Sequence, residues 1–165
     1  MEEAYLEYNH MVIRYQGNLN LIKDLDGCDV LGKSNLFLLE RWSGNYDYTL
    51  LFLPQDKLSL DFQDEVITLY GDLEYLKRTT MIQVIVFLLY QRKNCLNGII
   101  SFHAAAVLYR DTLILFMGPK GSGKTSLSYY FSQKYEDIRL IANDYLEIEL
   151  DFNLSLIHIS EPTRH

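Results

Sequence analysis

The chain has 165 residues, a formal net charge of -7, 48% hydrophobic residues and 13% aromatic ones. That length fits one domain, or one domain with part of a second, and the apolar content excludes a disordered chain. An acidic balance without a Lys/Arg cluster excludes binding to nucleic-acid phosphates as the main task.

Cys28 and Cys95 are far apart and have no metal-ligand neighbours, so they read as free thiols. The first residues, Met1-Glu2-Glu3-Ala4-Tyr5, are acidic where a signal peptide would be basic. The longest apolar run, residues 81–90, is roughly half of what a membrane span needs. The expectation is a cytoplasmic protein without a membrane or nucleic-acid partner.

Residues 1–70 read as β-rich. Residues 11–15 form a short strand. Residues 35–42 and 46–53 form two more, joined by the turn-prone Ser43-Gly44-Asn45 and therefore a predicted hairpin, with Trp42 in the core. Residues 58–62 alternate like a half-buried strand, and 66–70 form another. Asp72 is an N-cap residue, and apolar positions at helical spacing predict one long helix over 72–92. Residues 101–109 read as a strand and Arg110-Asp111 as a tight turn. The continuous apolar run 112–117 reads as a strand buried on both faces. A helix over 126–135, a second buried strand over 138–142 and a last strand over 145–150 complete the chain. The expected domains are a β-rich region with its helix over 1–98, a P-loop domain over 99–153, and a tail over 154–165. That tail resembles the in-frame translation of a sequencing adapter and is set apart from the fold.

The chemistry is concentrated in Gly118-Pro119-Lys120-Gly121-Ser122-Gly123-Lys124-Thr125, a full G-x-x-x-x-G-K-[ST] pattern between a strand and a helix. Its glycines allow the backbone to turn its N–H groups inward as an anion nest, and the helix beginning beside Ser126 adds its positive dipole end. Lys124 supplies a charge for the β- and γ-phosphates, and Thr125 offers its hydroxyl to magnesium. Pro119 and Lys120 fill free positions of the loop, with Lys120 read as solvated. Asp144 follows the next strand, at the edge of an α/β sheet where ligands sit, and can hold magnesium or accept a proton. His103 by itself reads as a core histidine.

Three stretches, Phe102-His103-Ala104-Ala105-Ala106-Val107, the loop with its preceding Leu115-Phe116-Met117, and Arg139-Leu140-Ile141-Ala142-Asn143-Asp144, resemble in order and spacing the catalytic domain of HPr kinase/phosphorylase and its relatives. The likeness covers roughly residues 99–150. It implies an α/β fold with a P-loop-containing, HPr-kinase-like C-terminal part. It also implies ATP and Mg2+ as cofactors, and a protein or peptide substrate phosphorylated on a serine or threonine hydroxyl. It puts His103 at the active site beside Lys124 and Asp144, and leaves a homo-oligomer open. Asn143 stands where the family often has the first acid of a pair, the presumed general base. An amide cannot take a proton from a hydroxyl, so a regulatory module that binds nucleotide without catalysis is an alternative, as is a small-metabolite kinase.

Overall fold

The computed structural model describes residues 1–150 throughout and the backbone of Ile157–Ser160. Most of the proposed tail over 154–165 therefore lies outside the described residues. The chain is mixed α/β, rich in strands and poor in helices, and divides into two compact units, Met1–Arg92 and Lys93–His165. No helix of the described residues is long and apolar enough to cross a membrane.

The first unit is built on a six-stranded mixed sheet. Its strands are β1 (Glu2–Tyr8), β2 (Met11–Gly17), β5 (Phe37–Leu39), β6 (Tyr48–Pro54), β7 (Ser59–Gln63) and β8 (Val66–Gly71), in the order β5-β1-β2-β6-β8-β7. A separate two-residue ladder joins β3 (Asp29–Val30) to β4 (Ser34–Asn35). β1 and β2 pair antiparallel, whereas β6 runs parallel to both β2 and β8. Leu6, Ile13, Leu50 and Ile67 lie on this sheet with no exposed surface, and Ile82, Ile85, Val86 and Leu89 close the core from the helix above. Each such side chain contributes about 1.5–3 kcal/mol of burial.

Several sequence expectations fail here for local reasons. The predicted hairpin of 35–42 with 46–53 does not form: β5 pairs with β1, and β6 pairs with β2 and β8. Asp47 decides this, because its carboxylate accepts from Val12 N at 2.9 Å while its own N–H donates to Val12 O at 2.7 Å. That exchange delivers β6 alongside β2. Trp42 is not a core residue; it is 38% exposed, and its indole N–H donates to Asn45 O across the connecting loop. β7 is an edge strand with all five residues exposed, not half-buried. The long helix is two: α1 (Leu73–Lys77) and α2 (Met81–Leu96). Asp72 does cap the first, accepting from Tyr75 N at 2.7 Å. Thr79 makes the break: its hydroxyl donates to Leu76 O at the end of α1 and accepts from Met81 N at the start of α2.

The second unit has two three-stranded sheets. One has the order β11-β10-β12, built from β10 (Ala104–Tyr109), β11 (Thr112–Met117) and β12 (Ile138–Ala142). The other joins β9 (Ile99–Phe102), β13 (Leu146–Leu150) and β14 (Ile157–Ser160), with β13 central. α3 (Lys124–Lys134) packs on the first sheet. The expected strand over 101–109 is thus split at His103, between two sheets. β11 is an edge strand rather than one buried on both faces, with Ile114 and Met117 exposed. β12 likewise buries only Ala142 fully. Ala104, Ala106, Ala142, Leu146 and Ile148 form the unit's small core.

Candidate functional site

Strand direction explains why the candidate residues meet. β10 runs antiparallel to both of its neighbours, so β11 and β12 point the same way. The loop after β11 and the Asn143-Asp144 turn after β12 therefore emerge at one sheet edge. β10 begins at that edge, since Ala104 pairs with Met117 and Ala106 with Ala142. His103, immediately before Ala104, is brought there too.

Within the loop, Gly121 and Gly123 both adopt φ 84°, in the left-handed region where glycine is favoured. Gly123 is the residue before α3, whose first N–H groups have no partner within the helix and no side-chain cap at Gly123. Gly118 approaches Ser122 so closely that an added Cβ would sit 2.8 Å from Ser122 Oγ. Lys124 folds back over the loop: its ammonium donates to Gly118 O at 2.9 Å and to Pro119 O at 3.1 Å. An ammonium has three donors, so a phosphate oxygen can be met without emptying both contacts. Pro119, Lys120 and Ser122 are exposed with the loop, and Ser126 is exposed on the first turn of α3.

Thr125 ties the loop to the neighbouring strand end. Its hydroxyl donates to Asn143 O at 3.0 Å, which leaves the oxygen lone pairs for a cation. The next residue, Asp144, holds Oδ1 3.3 Å from Nδ1 of His103. Both side chains are more than half exposed, so His103 is not a core histidine. With Nδ1 turned to the carboxylate, Nε2 is the ring nitrogen left for a ligand.

One detail bears on whether a ligand fits. Asn143 Oδ1 is shut off from solvent and accepts no hydrogen bond in the described structure, an unmet acceptor of the kind a bound water or hydroxyl satisfies. Thr125 and Asp144 are hard oxygen donors of the sort that magnesium takes in small number alongside phosphate oxygens. No group of three or more His, Cys, Asp or Glu side chains fit to hold a metal occurs among the described residues. A metal carried in with phosphates does not require one.

A feature that sequence reading missed lies on β13, just beyond Asp144. Glu147 is only 8% exposed, and its Oε1 accepts from Asn94 Nδ2 at 3.0 Å, Ser101 Oγ at 3.3 Å and Tyr145 OH at 2.9 Å. A carboxylate alternating with apolar residues in a short strand reads as a solvent face. Nothing in the spacing reveals three donors converging from α2, β9 and the residue just before β13. Tyr145, the residue after Asp144, is thereby anchored to the core.

A cavity of this unit lies elsewhere. A cavity of about 430 Å³ is lined by Tyr109, Ile114, Phe116, Phe131, Tyr135 and Ile138, among others. Tyr109 and Ile138 pair at the sheet end remote from Ala104, so this cavity lies away from the Gly118–Thr125 loop. No protein-family model matches the chain, and no curated protein matches it.

Proposed function

We propose that the C-terminal unit has a P-loop fold of the HPr-kinase-like type. In this reading it binds ATP with magnesium and transfers the γ-phosphate to a serine or threonine hydroxyl of a protein or peptide. The observation that carries this reading is the contact of Thr125 with the carbonyl of Asn143, next to the His103–Asp144 pair at 3.3 Å. It sets the glycine-rich loop, a hydroxyl and a carboxylate at one sheet edge.

The loop N–H groups from Gly118 to Ser126 hold the phosphates, and Lys124 holds the β- and γ-oxygens. Thr125 and Asp144 would hold the magnesium, which neutralises charge on the phosphate oxygens when bound. Asp144, oriented by His103, takes the proton as the substrate hydroxyl bonds to the γ-phosphorus and the bond from that phosphorus to the β–γ bridging oxygen breaks, releasing ADP. Phosphoryl transfer depends mainly on positioning and charge, so an amide at Asn143 does not by itself abolish it.

Incubation of the chain with magnesium, ATP labelled at the γ-phosphate and a library of serine- and threonine-containing peptides tests this. Label transfer is expected, with loss in Lys124→Ala and Asp144→Asn. Bound ATP without transfer to any acceptor rejects the kinase reading.

A second reading, a nucleotide-responsive module without catalysis, is favoured by Asn143 itself, whose amide has no basic atom. Asn143→Asp separates the two. It creates transfer or hydrolysis in an inert parent under the second reading, and changes an existing rate under the first.

A further inference from the structure

The first unit carries an unfinished sheet edge. β7 pairs with β8 through a two-residue connection, Asp64-Glu65, and nothing among the described residues pairs with its other side. In a two-residue hairpin the flanking pair, here Gln63 with Val66, exchanges its hydrogen bonds, and the pattern then alternates. Ser59, Asp61 and Gln63 thus spend their backbone groups on β8, while Leu60 and Phe62 turn theirs outward. The outward groups form a ready template for one more strand.

The side chains on that edge are unusual in two ways. Leu60 and Phe62 stand opposite Leu69 and Ile67, which are 1% and 0% exposed, so they share the face that carries the core. Yet Leu60 is 37% exposed, Phe62 51%, and Leu58 beside them 38%, because the core beneath α2 stops at β8. On the opposite face Asp61 sits at the exact middle of the strand, accepting only a 3.2 Å bond from Gln63 Nε2. Asp56, Asp64 and Glu65 flank it. Lys57 precedes the strand in the chain, and Arg92 donates to Asp64 O at the hairpin.

These features discriminate between occupants. A second copy adding through β7 in the antiparallel sense with the whole strand overlapped would place Asp61 directly opposite Asp61, the close like-charge pairing that destabilises sheets; only registers shifted by two residues, with fewer paired residues, avoid it. The same carboxylate attracts a cation at that position. We infer that β7 is a docking edge for an extended basic peptide. The peptide adds as a further strand, placing apolar residues over Leu60 and Phe62 and a Lys or Arg against Asp61. Backbone bonds supply the attachment, and the alternate side chains supply the selectivity. This inference does not depend on the phosphoryl-transfer reading.

The test titrates the full chain with three capped heptapeptides: alternating Val and Lys, alternating Val and Glu, and a block peptide with the Val/Lys composition. Amide exchange and chemical shifts of β7 are followed at low ionic strength. The alternating Val/Lys peptide is expected to bind at least tenfold more tightly than the other two and to slow exchange at Leu60 and Phe62. Asp61→Lys is expected to reverse the preference between the Lys and Glu peptides. Equal binding of the block peptide would reduce the effect to plain charge attraction and overturn the inference. So would absence of binding by the alternating Val/Lys peptide, or a dimer of the chain whose protected amides are those of β7.

Discussion

Replacing Thr125 by Val removes one hydroxyl and keeps the shape. In the structure that hydroxyl does a single visible job, donating to Asn143 O at 3.0 Å from an exposed position. A neutral hydrogen bond is worth about 0.5–1.5 kcal/mol net, and an exposed one falls at the low end, so unfolding of the second unit should change by less than about 1 kcal/mol. The effect on ligand is of another kind. If the oxygen also ligates magnesium, the variant loses the magnesium-dependent share of ATP affinity. A tenfold share corresponds to about 1.4 kcal/mol. The assay is calorimetric titration with ATP in magnesium and again in chelator, for the parent, Thr125→Val and Thr125→Ser. The parent and the Ser variant are expected to bind at least about tenfold more tightly with magnesium, and the Val variant equally in both. A Val variant that keeps the full magnesium dependence would refute the assignment of Thr125 as a metal ligand.

Three further outcomes follow from particular contacts. Glu147→Ala removes the acceptor shared by Asn94, Ser101 and Tyr145; Asn94 is the buried donor of the three, so denaturant titration should show a loss of about 1–3 kcal/mol, while Tyr145→Phe costs less. Tyr15 is fully buried, and burial raises its phenol pKa above the ordinary value of 10.0. The folded state therefore keeps a proton that the unfolded chain releases, so stability is intact below pH 10 and falls above it, by up to about 1.4 kcal/mol per pH unit. Tyr15→Phe should flatten that alkaline slope in pH-dependent urea melts. Leu50→Ala, in a side chain with no exposed surface, should cost about 2–5 kcal/mol in the same melts.

What was legible in the sequence was whatever depends on neighbours in the chain. The glycine pattern from Gly118 to Thr125, the Asp72 cap and the turn at Arg110-Asp111 are written in local backbone chemistry, and the last closes β10 to β11 at Tyr109 and Thr112. Strand partners were not legible. Ser43-Gly44-Asn45 permits a hairpin, but Asp47 commits β6 to β2 through contacts with Val12, 35 residues away. Thr79-Thr80 looks like a tolerable interruption of a helical stripe, and only the hydroxyl of Thr79 bonding in both directions makes it a stop. At the site, motif spacing named Lys124, Thr125 and Asp144, and the resemblance alone added His103, but neither revealed that β10 lies between β11 and β12. That arrangement is what brings the four to one edge. Glu147 escaped because burial of a carboxylate depends on donors from α2 and β9, distant in the chain, as well as from Tyr145.

In the proposed reading Thr125 and Asp144 share a single metal–triphosphate site, with His103 beside it. Paramagnetic Mn2+ in place of Mg2+, added with ATP to isotope-labelled chain, reports those neighbours by line broadening. Broadening of Thr125, Asn143, Asp144 and the His103 ring together, abolished in Lys124→Ala, is the outcome the account requires. Broadening confined to the loop from Gly118 to Thr125, with Asp144 and His103 untouched, would contradict it.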